Sequence, residues 1–150
     1  MRYLIGLGNY NLFDDSIALK IIEHIEKNKL DNGFIPLDLS ANALNLICYL
    51  NNDTEKIVII DTASMGLKPG EYKIFERRDV ISKKNLSGIS SHESDMIKVI
   101  DLAEKTGYPI CELKLFGIQP EIIKEGFGLS KSLQDNFLMY VEKAVSEVKK

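Results

Sequence analysis

The sequence is poor in residues that mark several common protein classes. It contains two cysteines, Cys48 and Cys111, with no CxxC pair and no disulfide framework. Both lie in apolar segments, so we expect small buried core residues in a reducing compartment. The 19 basic residues are outnumbered by 22 acidic ones, which gives a net charge of −3. Because no basic patch stands out, we expect no nucleic-acid partner.

Long apolar runs and common hydrolase motifs are also missing. No stretch approaches the roughly 20 apolar residues that a membrane span requires, and the apolar run of MRYLIGLGN is too short for a secretory signal. Neither GxSxG nor HExxH occurs. We therefore expect a cytoplasmic protein with no membrane association. Its 150 residues, 45% apolar and 27% charged, predict one globular domain spanning residues 1–150.

What the chain does contain is an alternation of strand and helix patterns. The predicted strands are Tyr3–Leu7, Phe34–Leu39, Lys56–Ile60, Glu71–Glu76 and Pro109–Ile118. The predicted helices are Asp14–Asn28, Ser40–Leu50, a segment from Ser90 to about Lys105, and Leu129–Lys149. The polar segment Arg77–Ser90 fits neither pattern, and we expect it to be mobile. The alternation predicts an α/β fold, a three-layer α/β/α sandwich with a mostly parallel, mixed central sheet of about five strands.

In such a sheet a ligand site is expected beyond the carboxyl ends of the strands. Asp14 and Asp15 follow the first predicted strand, Asp61 ends the third, and His92 opens a later helix. Asp14 is a plausible N-cap, which leaves Asp15 for other work, while Asp61 either caps a turn or enters the crevice. His92 either bonds locally or joins the site. Two carboxylates and an imidazole suit a borderline divalent metal ion.

The segment Gly6-Leu7-Gly8 allows a second interpretation, a dinucleotide-binding turn. That fingerprint requires a third glycine, but the sixth position is Asn11. Two carboxylates at the start of the following helix would also repel a pyrophosphate. A tight turn that lets the chain leave the sheet explains both glycines without a nucleotide.

Four motifs together resemble the maturation endopeptidases of nickel–iron hydrogenases. They are Gly6-Leu7-Gly8-Asn9 with Asp14-Asp15, DTASMGLKPGE from Asp61 to Glu71, Ser91-His92, and FGIQP from Phe116 to Pro120. The GLKPGE and FGIQP segments look especially like the branch that serves formate-hydrogenlyase-type and related energy-converting hydrogenases. The chain departs from the pattern after the acidic pair, where many members have Gly-x-Gly and this sequence has Ser16, Ile17 and Ala18.

The resemblance implies an endopeptidase that removes a C-terminal extension from the nickel-loaded precursor of a [NiFe]-hydrogenase large subunit. It also implies that Asp15, Asp61 and His92 contact Ni²⁺ that arrives with the precursor, and that these residues form the catalytic site. Under this interpretation Asp15 or Asp61 acts as a general base, an aspartyl-type peptidase activity. The alternative is a non-catalytic chaperone or scaffold that binds the nickel-loaded precursor without cutting it.

Overall fold

A five-stranded mixed sheet forms the middle layer of the computed structural model, which describes the backbone of residues 1–82 and 91–150 and the side chains of residues 1–79 and 96–150. The strands are β1 (Arg2–Leu7), β2 (Ile35–Ser40), β3 (Lys56–Thr62), β4 (Tyr72–Glu76) and β5 (Glu112–Ile118). Their order in the sheet is β2-β1-β3-β5-β4. Only β4 pairs antiparallel with its neighbour, so the predicted mostly parallel sheet is confirmed.

Helices cover both faces of this sheet. The α-helices are α1 (Ile17–Lys27), α2 (Arg77–Ser82), α3 (Ser91–Lys105), α4 (Lys131–Asp135) and α5 (Phe137–Lys149), and two 3-10 helices cover Phe13–Ser16 and Ala43–Tyr49. One apolar cluster joins α1 and α5 to one face of the sheet, and another joins α3 and Ala43–Tyr49 to the opposite face. The three-layer α/β/α sandwich is therefore confirmed.

Strand β3 lies at the centre of the sheet because its sequence is apolar on both sides. Every residue from Lys56 to Thr62 is buried. Ile57 and Ile59 pack into the cluster that contains α3, whereas Val58 and Ile60 pack into the cluster that contains α1 and α5. Burial on both faces is what a continuous β-branched run in a parallel sheet predicts.

Two predicted helices differ from the structure at their starts. The first helix begins at Ile17 and not at Asp14, because Phe13–Ser16 forms a separate 3-10 helix after the positive φ of 53° at Phe13. The predicted helix Ser40–Leu50 is a 3-10 helix, Ala43–Tyr49, whose buried residues Ala43 and Leu46 lie three positions apart. That spacing matches the three residues per turn of a 3-10 helix.

The predicted C-terminal helix Leu129–Lys149 is divided into α4 and α5 at Asn136. The Asn136 amide Nδ2 donates to the carbonyl of Ser132 at 2.8 Å, which stabilises the end of α4. The predicted strand Glu71–Glu76 is present as β4, antiparallel to β5, and the Glu71 N–H donates to the Lys68 carbonyl at 3.0 Å in the turn before it.

The structure differs from the sequence predictions at the cysteines and in the segment Arg77–Ser90. Cys48 is exposed and Cys111 is only partly buried, so the prediction of two buried core cysteines was wrong. Their apolar neighbours take the inner positions of Ala43–Tyr49 and β5. In the segment Arg77–Ser90, helix α2 was not predicted. Residues 83–90 lie outside the described part of the chain, and they include Ser90, the predicted start of the helix that ends near Lys105. Among the described helices, none has the length and apolar character needed to cross a bilayer.

Candidate active site

Asp15 and Asp61 lie together at the carboxyl ends of β1 and β3, as the strand pattern predicts. Both carboxylates are buried, with Asp15 2% and Asp61 0% exposed. Thr62 contacts both of them: its hydroxyl donates to Oδ1 of Asp15 at 2.7 Å, and its backbone N–H donates to Oδ1 of Asp61 at 2.8 Å. The last residue of β3 therefore connects two acidic side chains that are 46 positions apart in the sequence.

The two glycines of the first motif allow this approach. A Cβ on Gly8 would lie 2.1 Å from the backbone carbonyl oxygen of Asp15, and Gly8 has a φ of 154°. A Cβ on Gly6 would lie 2.9 Å from Ile22 and 3.0 Å from the Ala18 carbonyl of α1. Glycine at these positions lets the turn and the helix pack directly on β1, and this brings Asp15 to the edge of the sheet.

Asp14 has a role different from the predicted N-cap. The residue is fully buried, and its carboxylate accepts hydrogen bonds from the backbone N–H groups of Glu121, Ile122 and Ser130 at 2.7–2.9 Å. The Ser130 hydroxyl also donates to it. Asp14 thus fixes the loop that follows β5, while its neighbour Asp15 contacts β3. The functional role expected for Asp15 stays a prediction.

The motifs GLKPGE and FGIQP form one structural unit beside Asp61. The side-chain oxygen of Gln119 accepts from the backbone N–H of Met65 at 2.7 Å. The Met65 thioether packs over Gly117, where an added Cβ would lie 3.1 Å from the sulfur. Gly117 pairs with Asp61 in the β3–β5 register. Met65 therefore covers the position next to Asp61 on the same face of the sheet.

His92 lies in the first turn of α3, and its side chain is outside the described residues. The direction of α3 follows from its last turn, where Glu104 forms an ion pair with Arg77. Arg77 follows β4 at the amino-terminal end of β5, since Glu76 pairs with Lys114. A helix of 15 residues is about 22 Å long. The last turn of α3 therefore lies near the amino-terminal end of β5, and the first turn, which contains His92, lies about 20 Å from it along the helix axis.

The described side chains alone do not make a three-ligand metal site. Within residues 1–79 and 96–150, no group of three histidine, cysteine, aspartate or glutamate side chains is arranged to hold a metal ion. Asp15 and Asp61 supply oxygen donors at one buried edge, a set that suits a divalent cation if further ligands join it. The chemistry available to this pair is metal coordination or proton transfer by a carboxylate.

Sequence reasoning missed two residues of this site. Thr62 follows Asp61 directly, but nothing in the sequence shows that its hydroxyl lies against Asp15. In the sequence, Gln119 stands out only as part of the FGIQP motif. Its partner Met65 is 54 residues away. The one available signal was the pair of polar residues Asp61 and Thr62 after an apolar strand.

The protein is an α/β sandwich, and its candidate active site is the buried pair Asp15 and Asp61 at the carboxyl edge of the sheet. A family model described as hydrogenase maturation protease matches residues 19–147. The chain therefore belongs to the hydrogenase maturation protease family. The match includes Asp61 and His92, while Asp15 precedes it.

Individual relatives agree with this assignment. The chain is 25% identical over 118 residues to the hydrogenase expression/formation protein HupD of Rhizobium leguminosarum bv. viciae, which covers 78% of this chain and 58% of that protein. It spans 58–60% of the length of the first three curated relatives.

Solved structures share the fold. The hydrogenase maturating endopeptidase HybD from E. coli has a TM-score of 0.84 at 23% identity, over 99% of this chain and 93% of that one. The [NiFe] hydrogenase maturation protease HybD from Thermococcus kodakarensis has a TM-score of 0.77 at 28% identity, over 99% of both chains.

Proposed function

We propose that this protein is an endopeptidase that removes a C-terminal extension from the nickel-loaded precursor of a [NiFe]-hydrogenase large subunit. The observation that carries the proposal is the buried pair Asp15 and Asp61, which Thr62 joins at the carboxyl edge of the sheet. Membership of the hydrogenase maturation protease family supports the same substrate class.

The proposal assigns the metal to the substrate. Nickel arrives bound to the precursor, and Asp15, Asp61 and His92 are the residues proposed to contact it. Carboxylate oxygens and an imidazole nitrogen suit a borderline divalent ion such as Ni²⁺. Oxygen donors from two strand ends and a third ligand from α3 would recognise a loaded precursor and leave an empty one unbound. The enzyme itself then needs no resident metal.

Hydrolysis requires a base that activates water and a group that returns the proton. In the proposed reaction a carboxylate, Asp15 or Asp61, accepts a proton from water as the water oxygen attacks the scissile carbonyl carbon. The C–N bond then breaks, and the proton passes to the leaving amine. Holding the peptide against the buried pair would by itself supply a large part of the rate.

We further propose that the target is a hydrogenase of the formate-hydrogenlyase or related energy-converting type and that the reaction takes place in the cytoplasm. The GLKPGE and FGIQP segments support the choice of branch. Gln119 accepts hydrogen bonds from the Leu67 and Gly70 N–H groups and thereby joins these segments near Asp61. Differences among branches in this unit would therefore lie beside the bound precursor.

The test is the intact mass of precursor large subunits after incubation with the protein, with and without nickel. We expect loss of a C-terminal peptide from the nickel-loaded form alone. Asp15→Asn and Asp61→Asn should each lower the cleavage rate, and the substitution that removes the general base should lower it by at least about 100-fold. Asp31→Asn, at an exposed position, should cleave normally.

A stable complex with the loaded precursor and no mass change would favour the chaperone alternative. Normal cleavage by both Asp15→Asn and Asp61→Asn would refute the assigned site. Precursors of the other hydrogenases in the same cell, tested side by side, decide the branch.

A further inference from the structure

We infer that Thr62 is a positioning residue that holds the carboxylates of Asp15 and Asp61 in the orientation that receives the precursor's metal. The inference rests on the proposed function and extends it to a residue whose side chain is neither acidic nor basic. Thr62 is buried and donates to both carboxylates, through its hydroxyl to Asp15 and through its backbone N–H to Asp61.

Both donors of Thr62 are fixed by the sheet. The backbone at the end of β3 is paired with β5, where Thr62 lies opposite Ile118. The side chain is β-branched and 1% exposed, so its χ1 rotation is restricted by its own structure and by its surroundings. The hydroxyl therefore has one direction available, and the Asp15 carboxylate is oriented by a rigid element rather than by a loop.

Each of these bonds uses a single oxygen of its carboxylate. An ionised carboxylate offers about four lone-pair directions, and each hydrogen bond from Thr62 uses one of them, on Oδ1. A donor on one oxygen fixes the plane of the carboxylate without closing the other oxygen to a cation. Supporting hydrogen bonds of this kind typically change metal affinity or activity by about 10–100-fold.

The strand itself does not need the hydroxyl. Valine has nearly the same shape as threonine and is equally well suited to a buried strand. A hydroxyl placed in the interior without a hydrogen bond would be unfavourable. The Thr62 side chain is 1% exposed and its hydroxyl donates to Asp15, so the contribution of the hydroxyl lies in that hydrogen bond.

Three variants separate positioning from packing. Thr62→Val removes the hydroxyl and keeps the backbone N–H, and Thr62→Ser restores a hydroxyl. Thr54→Val is a matched control, because Thr54 is also buried and its hydroxyl donates to the Tyr49 carbonyl at 2.6 Å, near the amino-terminal end of β3. All three variants should retain cooperative unfolding.

The first readout is titration with Co²⁺, followed by its visible absorption, on the protein without any precursor. We expect Thr62→Val to bind Co²⁺ about 10-fold more weakly, with a changed absorption spectrum, and Thr62→Ser and Thr54→Val to resemble the wild type. The same order should appear in kcat/KM for cleavage of the nickel-loaded precursor.

Equal Co²⁺ affinity and spectrum in wild type and Thr62→Val would overturn the inference. Equal impairment of Thr62→Val and Thr62→Ser would also overturn it, because packing and not the hydroxyl would then be responsible. Failure of the wild type to cleave any loaded precursor would instead refute the proposed function. The cobalt titration distinguishes these results because it requires no cleavage.

Discussion

The side-chain oxygen of Gln119 accepts a hydrogen bond from the backbone N–H of Met65 at 2.7 Å, and this joins two loops at the edge that holds Asp61. Two main-chain bonds reinforce the junction: the Gly70 N–H donates to the Gln119 carbonyl at 2.9 Å, and the Gln119 N–H donates to the Glu71 carbonyl at 2.8 Å. The segment after β3 is thus fastened to the segment after β5.

Replacing Gln119 tests this junction. Gln119→Ala removes the side-chain acceptor of the Met65 N–H and of the more distant Leu67 N–H, and it leaves both main-chain bonds in place. We therefore expect a loss of about 1 kcal/mol in the free energy of unfolding. Hydrogen exchange of the Met65 amide should become faster. Gln134→Ala, at an exposed position, is the control. Unchanged exchange at Met65 in Gln119→Ala would show that the bond does not order the loop.

Asp14 should be critical for stability. Asp14→Asn replaces one carboxylate oxygen with an amide NH₂, which would face the N–H and O–H donors of Glu121, Ile122 and Ser130. Because the site is fully buried, we expect the free energy of unfolding to fall by about 3 kcal/mol. Urea unfolding measures this, with the exposed Asp135→Asn as control. A loss equal to that of the control would contradict the anchoring role.

Alanine substitutions at Gly8 and Gly33 distinguish the cost of a positive φ from the cost of a steric clash. Both have positive φ, 154° and 91°, but a Cβ on Gly33 would meet nothing within 4 Å, whereas one on Gly8 would lie 2.1 Å from the Asp15 carbonyl oxygen. We expect Gly33→Ala to cost about 1–2 kcal/mol in unfolding free energy and Gly8→Ala to cost clearly more. Gly8→Ala should also weaken Co²⁺ binding. Equal effects of the two substitutions on thermal unfolding would contradict the close approach.

A buried ion pair gives the stability a predictable pH dependence. Burial raises the pKa of the Glu147 carboxyl, but hydrogen bonds from Lys114 and Lys150 outweigh it, and its pKa lies below the ordinary value. The lysine Nζ of Lys114 lies 2.6 Å from Oε1 of Glu147, and this bond raises the Lys114 pKa against the opposing effect of burial.

The sign of the effect follows from these directions. For Glu147 the stabilisation is present above the unfolded-state pKa of about 4.3 and is lost as the pH falls through the folded-state value. For Lys114 it is present below the unfolded-state pKa of about 10.4 and is lost as the pH rises through the folded-state value. Glu147→Gln should therefore lower the unfolding free energy at pH 7, by a difference that shrinks near pH 3. The exposed Glu142→Gln is the control, and a difference independent of pH would contradict the pair.

Several features of the fold could be predicted because their causes are local. The apolar run Lys56–Ile60 requires burial on both faces, so it predicts a central strand before any contact is known. Alternation of strand and helix patterns then fixes the sandwich, and the rule for parallel sheets places Asp15 and Asp61 at one edge. The turn predicted at Gly6-Leu7-Gly8 lies a few residues later, because Gly6 and Leu7 belong to β1 and the Leu12 N–H donates to the Asn9 carbonyl.

Other features were decided by tertiary structure because their partners are distant in sequence. The local sequence predicts that Asp14 caps a helix, but the N–H groups that donate to its carboxylate belong to Glu121 and Ser130, 107 and 116 residues away. Whether Ala43–Tyr49 forms an α-helix or a 3-10 helix depends on how it packs against α3, and local propensity does not decide this. The hydroxyl of Thr62 acquires a role only when the sheet brings β3 beside Asp15. Local sequence patterns therefore define the layers of the fold and the edge that bears the site. Packing of the sheet defines which side chains orient the carboxylates there, because hydrogen bonds between distant segments depend on positions that exist only in the folded sheet.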